Sequence, residues 1–363
     1  MGLLDYYRQF EDVDERELNA ERRERRRRER ALALEQVPEL DLSGTEWPDF
    51  PNSEVMNASI YAARGRVNGY PDRHAERVRA TLAERLEVEA ERIVLGNGAA
   101  ELLQAAAMAL LSRGDELAMP WPSYPLYPLM AARAGAKPVP ADGFEALSLA
   151  ISEHTRAVAL CNPNDPTGEY LPSSQLAELL RQLPADVHLL LDEALVHFQD
   201  AEPLNACLRL TAEHENLTVF RTFSKVYGLS GVRAGYAVGG STELLDAIAP
   251  VLGVNVLTQA AVSQALKIGE PEVKRRRAAV IEERGRLLEA LAELPVDVAP
   301  SQANFVWLAA PGMSGTQLAS GLRERGVIVA PGGPLGADDH VRATIRHAAA
   351  TDRLVEALQG VLD

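Results

Sequence analysis

Leu217-Thr218-Val219-Phe220-Arg221-Thr222-Phe223-Ser224-Lys225-Val226-Tyr227-Gly228-Leu229-Ser230-Gly231-Val232-Arg233 is the stretch on which the reading of the fold turns. It opens with a short apolar run, Leu217 to Phe220, that reads as a strand and passes directly into a Ser/Gly turn. The chain uses arginine heavily and lysine sparingly, so a lysine placed in that turn is a chemical choice. Only an amine can form a Schiff base, and a guanidinium cannot replace it. Ser224 and Arg233 add donors suited to a phosphate.

The same grammar extends outward on both sides. Arg92–Leu95, Glu116–Met119, Ala157–Cys161 and His188–Leu191 are short apolar strands, and the second is preceded by a small-residue helix from Ala99 to Leu111. Arg73 to Leu86 is a helix by its periodicity. Continuous apolar strands between helices imply an α/β fold with a parallel sheet covered on both faces. Past about residue 260 the pattern changes. A charged helix from about 271 to 293 leads to Asn304–Leu308, a further helix, Gly326–Val329 and Val341–Ile345, which read as a smaller α+β unit. Four parts are expected: a charged helical arm over 1–40, a segment over 41–68 packing with the smaller unit, a large domain over 69–260 and a small one over 261–363.

Composition bounds the function. The 363 residues carry 52 Asp and Glu against 37 Lys and Arg, a formal charge of -15, which disfavours nucleic acid as a partner. The run Glu21–Arg30, ERRERRRRER, reads as a solvated helix with Arg and Glu paired at three- and four-residue spacing. No apolar run approaches a membrane span. Two cysteines, Cys161 and Cys207, make no disulfide framework, and a reduced, cytoplasmic setting is expected.

In open parallel sheets, ligands sit beyond the carboxyl ends of the strands. Four such ends carry matching chemistry. Gly96-Asn97-Gly98-Ala99-Ala100 opens a helix whose first N–H groups can meet an anion. Asn162-Pro163-Asn164-Asp165-Pro166-Thr167-Gly168 is a rigid loop. Asp192 follows an apolar run, where a carboxylate needs a cationic partner. Lys225 supplies the amine. An amine, a buried acid, a phosphate nest and an arginine together fit pyridoxal 5'-phosphate, with no metal.

With these motifs in order, the chain resembles the fold-type I pyridoxal-phosphate aminotransferases of classes I and II, and most of all the histidinol-phosphate branch. The resemblance runs from about residue 40 to the C-terminus, and Ser224–Arg233 is its most specific part. It implies a large domain with a mainly parallel sheet sandwiched by helices plus a smaller α+β domain. It implies that Lys225 is the Schiff-base lysine and proton shuttle, that Asp192 pairs with the ring nitrogen and that Tyr124 stacks on the ring. Ala99, Ala100, Ser224 and Arg233 would hold the phosphate. Tyr70, in Gly69-Tyr70-Pro71-Asp72, would reach the phosphate of the partner subunit, which implies a homodimer. Arg342 would bind the substrate carboxylate through its guanidinium fork. Glutamate is the donor expected by family habit, and histidinol phosphate is the first substrate named.

The departures carry information too. Asp165 stands where the family usually has asparagine, and Leu195 where it usually has tyrosine. Both usual residues donate to the cofactor's phenolic oxygen, so the lysine–cofactor linkage is expected to hold its proton more tightly unless Asp165 is itself protonated. Thr45-Glu46-Trp47-Pro48 replaces Asn-Glu-Asn-Pro. Ala330 stands where members acting on histidinol phosphate often carry arginine, and Arg346, on the strand face of Arg342 and Thr344, is a possible replacement. The alternatives are transamination of another amino acid, decarboxylation of a phosphorylated one, and a non-catalytic binding protein with a relic pocket.

Overall fold

The computed structural model describes residue 20, residues 22–25 and residues 39–363. Most of the expected arm over 1–40, and of Glu21–Arg30 within it, lies outside the described residues; Ala20 and Arg22–Arg25 are helical.

Leu40–Asp41 forms a two-residue strand, β1. The large sheet comprises β2 (Ile93–Gly96), β3 (Glu116–Trp121), β4 (Lys137–Asp142), β5 (Thr155–Cys161), β6 (His188–Asp192), β7 (Leu217–Thr222) and β8 (Gly235–Gly239). Their spatial order is β2-β8-β7-β6-β5-β3-β4. All adjacent pairs are parallel except those made by β8, which runs antiparallel to both β2 and β7.

The apolar runs are continuous because both faces of this sheet are covered. Leu189 and Leu191 enter one core cluster and Leu190 the other, as the two-residue period of a strand requires. Val158 and Leu160 alternate with Ala157 and Ala159 in the same way. Helices Glu76–Leu86, Ser173–Gln182 and Val256–Ile268 supply one cover, and Ala99–Leu110, Leu126–Ala134 and Thr242–Ile248 the other. Each fully buried leucine contributes about 1.5–3 kcal/mol.

The C-terminal unit is built on β9 (Asp297–Val298), β10 (Phe305–Ala309), β11 (Val327–Ile328), β12 (Ala330–Pro331) and β13 (His340–Thr344). The antiparallel order is β12-β13-β10-β9, while β11 pairs with β1. The strand expected over Gly326–Val329 is the short β11, and a separate strand, β12, follows it because Ala330 and Pro331 pair with β13 and not with β1.

Two segments cross between the units. Leu42 lies in the C-terminal core with Leu287, Val306 and Leu354. Helix Ser53–Arg66, capped by Asn52, packs instead on helix Val256–Ile268, with Val55 in the large core and Ser59 Oγ donating to the Leu257 carbonyl at 2.8 Å. The 260/261 boundary falls inside that second helix, whose Ala261, Val262, Ala265 and Leu266 belong to the large core.

Candidate active site

Lys225 lies just beyond the carboxyl end of β7. Phe223 turns into the core against Tyr227 and Tyr236, with ring centroids 5.0 and 5.7 Å away. Thr222 closes the bend: its hydroxyl accepts from Ser224 N–H at 3.0 Å and donates to Ser224 Oγ at 2.9 Å. The turn continues through Gly228 N–H, which donates to the Lys225 carbonyl at 2.9 Å. From the other side, buried Arg276 on helix Glu270–Ala292 donates to the Val226 carbonyl at 2.9 Å. The lysine backbone is thus fixed from both units.

The Lys225 ammonium donates to Thr45 Oγ1, on the segment that follows β1. Burial pushes the Lys225 pKa down, and nearby Asp165 opposes that shift. A neutral amine is the form that attacks an aldehyde.

Asp192 ends β6, in register with Cys161 of β5 and Phe220 of β7. It is 4% exposed, and burial raises its carboxyl to about 6. Ala194 N–H, at 3.0 Å, and the Tyr127 hydroxyl, at 3.3 Å, donate to it and pull the other way. Tyr124, just before helix Leu126–Ala134, lies edge-on to Tyr127, and its hydroxyl is pushed up to about 12 by burial and by Asp192.

Helix Ala99–Leu110 begins with no side-chain cap, leaving its first N–H groups available. Gly98 has φ +105°, and a Cβ there would sit 2.5 Å from Arg233 Nη2. Glycine is needed for both the conformation and the contact. Arg233 itself has φ +58° and donates to the Ser230 carbonyl at 2.9 Å. The left-handed residue, the uncapped helix and Ser224 converge on one rim of the cavity.

The loop after β5 presents Asp165, with cis peptides before Pro163 and Pro166. Asn164 pins it: its amide donates to the Pro122 carbonyl at 3.0 Å and Thr167 Oγ1 at 2.9 Å, and its side-chain oxygen accepts from Ser123 at 2.8 Å. Asp165 pairs with Arg342 of β13. Arg342 Nη2 also donates to the Ser43 carbonyl at 2.9 Å.

Nine of the eleven residues expected at the site, Ala99, Ala100, Tyr124, Asp165, Asp192, Ser224, Lys225, Arg233 and Arg342, border one cavity of about 580 Å³. That size suits a small-molecule site. Leu126, Leu129, Leu195 and Leu335 give it an apolar wall. Arg346 is not among its lining residues. It lies beyond the end of β13 and donates to the Glu46 carbonyl at 2.6 Å and the Gly44 carbonyl at 3.3 Å, so it holds the loop that borders the cavity. Tyr70 is 86% exposed and outside the cavity. Thr45, Tyr127 and Thr222 escaped the sequence reading as site residues; Tyr127 lies only three residues after the expected Tyr124, at the start of helix Leu126–Ala134.

The residues fit pyridoxal phosphate. An uncapped helix N-terminus, Ser224 and Arg233 can receive its phosphate, an amine with depressed pKa can receive its aldehyde, and a buried acid can hold a ring proton. No group of three or more His, Cys, Asp and Glu among the described residues is arranged to hold a metal ion.

The family profile for aminotransferase class I and II matches residues 38–358. The chain is 38% identical to an aromatic amino acid aminotransferase of Corynebacterium efficiens, over 89% of this chain and 93% of that protein. It is 35% identical to histidinol-phosphate aminotransferase 1 of Nitrosococcus oceani, over 89% of each. The crystal structure of histidinol-phosphate aminotransferase from Sinorhizobium meliloti in complex with pyridoxal-5'-phosphate superposes with a TM-score of 0.78 at 26% identity, covering 91% of this chain and 93% of that one.

Proposed function

The chain belongs to the class I and II aminotransferases, pyridoxal-phosphate enzymes of fold type I, and we propose that within this family it moves an amino group between glutamate and an aromatic keto acid. The carrying observation is the distribution of charge around the cavity. Its only lining cations among the described residues are Lys225, Arg233 and Arg342. In this reading Lys225 and Arg233 serve the cofactor and Arg342 the substrate carboxylate. None is left for a substrate phosphate, and Ala330, opposite Arg342 in register, adds none. The wall of Leu126, Leu129 and Leu335 suits an apolar side chain. The name of the Corynebacterium relative agrees with this choice.

Pyridoxal phosphate, when bound, supplies an aldehyde for the substrate nitrogen and a ring that accepts electrons from the α-carbon. The chain does the rest. The Lys225 amine would carry a proton away from the α-carbon of the amino donor in the first half of the cycle and deliver one to the α-carbon of the keto acceptor in the second. Asp192 holds a proton at the ring nitrogen, and Tyr127 and Ala194 hold Asp192 in place. Tyr124 covers the ring face. Ala99 and Ala100 N–H, Ser224 and Arg233 bind the phosphate. Arg342 orients the substrate through its carboxylate.

Histidinol phosphate is the second reading, favoured by the Nitrosococcus relative; it has no carboxylate, so its phosphate would take Arg342. Rates with phenylalanine and with histidinol phosphate as donors to 2-oxoglutarate separate the two. The aromatic reading expects kcat/KM for phenylalanine at least about tenfold higher, and the reverse order would replace it. Borohydride reduction should fix the cofactor to the peptide containing Lys225 and fail to do so in K225A.

Two further parts of the reading concern setting and assembly. Val67, Tyr70, Val251 and Leu252 are exposed, and Gly253 closely approaches the Arg73 backbone, which gathers them near one face. A second copy covering that face would make a homodimer and carry Tyr70 toward the partner's phosphate site. Light scattering should then give twice the chain mass. Buried free thiols at Cys161 and Cys207 support a reduced, cytoplasmic setting, and transamination of an aromatic amino acid suits a role in amino-acid biosynthesis. No helix among the described residues is long and apolar enough to cross a membrane.

A further inference from the structure

Asp165 and Arg342 lie 177 positions apart in the chain and meet across the cavity. Nη1 of Arg342 donates to Oδ1 of Asp165, and Nη2 donates to the Ser43 carbonyl at 2.9 Å. Nε is buried and has no hydrogen-bond partner among the described residues. The Phe305 ring covers the guanidinium at 5.4 Å. The two side chains are only 11% and 12% exposed. The cavity edge of the fork is therefore already held by a carboxylate.

The two partners are not equally fixed. Arg342 sits in mid-strand, in register with Trp307 on one side and Ala330 on the other. The backbone around Asp165 is fixed through Asn164, but the Asp165 carboxylate makes no hydrogen bond to any described residue other than Arg342. Rotation about its own side-chain bonds is enough to release the guanidinium.

We propose that Asp165 is a displaceable internal ligand of Arg342, so that an acid entering the site takes the arginine by exchanging its carboxylate for that of Asp165. The proposal rests on the reading of Arg342 as the substrate-carboxylate site. Its consequence is a specificity rule. The attraction gained by the incoming carboxylate is offset by the attraction lost by Asp165, which stays nearby as a like charge. The charge of the substrate then contributes little net affinity. Discrimination falls on the side chain, against Leu126, Leu129 and Leu335. Asparagine at this position would leave Arg342 without a competing charge.

The test compares 3-phenylpropionate with its neutral amide, 3-phenylpropionamide, binding to holoenzyme by titration calorimetry. Wild type should bind the two within about threefold of each other, and D165N should bind the acid at least about tenfold tighter with the amide unchanged. D165S should tighten the acid as well, which separates loss of charge from local repacking. R342Q should weaken the acid and spare the amide. Acid affinity in D165N and D165S that is equal to or weaker than wild type, with R342Q still weakening the acid, overturns the exchange and leaves the carboxylate site standing. An acid affinity that R342Q does not change removes the carboxylate site itself, and the exchange with it.

Discussion

The hydroxyl of Tyr127 donates to Oδ2 of Asp192 across 3.3 Å, with both residues buried and Asp192 bordering the cavity. Burial raises Asp192 to about 6 from 3.8, against the pull of this bond and of Ala194 N–H. An acid whose folded pKa exceeds its unfolded value stabilises the fold fully below the unfolded pKa. That contribution is lost as pH rises through about 6. At pH 8 the cofactor-free protein therefore carries an ionised acid in an unfavourable place. A ring nitrogen that shares a proton with it removes the conflict.

D192N should accordingly stabilise the apoprotein at pH 8, by at most about 3 kcal/mol for the shift from 3.8 to about 6. The gain should shrink as pH falls toward 4. The same substitution should lower kcat of the holoenzyme on the order of a hundredfold or more, because the preorganised charge is gone. Urea unfolding of apoprotein at several pH values checks the first half, and steady-state rates the second. A stability difference that does not vary with pH would show that Asp192 is not the source.

Gly98→Ala should weaken cofactor binding more than it weakens the fold. Its Cβ would lie 2.5 Å from Arg233 Nη2, at a φ of +105° that side chains avoid. Arg233 must then leave the rim it shares with Ala99, Ala100 and Ser224. Fluorescence titration of apoprotein with pyridoxal phosphate should give a Kd raised about tenfold or more, the cost of one displaced phosphate contact. An unchanged Kd would remove Arg233 from the phosphate site.

What could be read in the sequence was what is local. Ser224, Lys225 and Arg233 lie within ten residues, and the turn chemistry of Ser and Gly announces them. Leu189 to Leu191 declared a doubly covered strand because each leucine has its own core to enter. β4 was missed because Lys137-Pro138-Val139-Pro140 carries two prolines, which an edge strand tolerates and a central one does not. Neither β8 as a strand nor its antiparallel sense is read from the sequence: Gly235-Tyr236-Ala237-Val238-Gly239 is short and bounded by glycines, and its pairing with β2 joins residues some 140 positions apart, such as Val94 and Ala237. The same limit applied to Asp165. Its asparagine-to-aspartate departure was visible, but its partner Arg342 lies on another domain and was assigned separately.

Arg346 illustrates how a residue on the expected face can serve at one remove. Its two donors hold the carbonyls of Glu46 and Gly44, and the intervening Thr45 receives the Lys225 ammonium. Arg346→Ala should let this loop move without removing any group from the cavity. KM should rise severalfold while kcat falls less, and Tm should drop by a few degrees, as for loss of about 1–2 kcal/mol of charge-assisted hydrogen bonds. Arg346→Lys, which cannot reach both carbonyls, should recover little. A rise in KM confined to phosphorylated substrates would instead make Arg346 a direct substrate contact.

Behind the site, Arg221 of β7 and Glu193, the residue after β6, form an ion pair at 2.7 Å with side chains 1% and 0% exposed. Arg221 also donates to Asn205 Oδ1 at 2.8 Å and the Leu204 carbonyl at 2.9 Å, whereas Glu193 Oε1 has no partner among the described residues. The arrangement is asymmetric, and so should be its failure. R221M strands a buried carboxylate and should cost about 3–5 kcal/mol, whereas E193Q leaves an arginine with carbonyl acceptors still in place and should cost less. Adding E193L to R221M removes the stranded charge, so the double variant should be more stable than R221M alone. The pair joins the strand that ends in Asp192 to the strand that leads to Lys225. Regained stability without regained kcat in the double variant would mean that its part is to set the acid and the amine at their working separation. Regained stability and kcat together would reduce it to an element of packing.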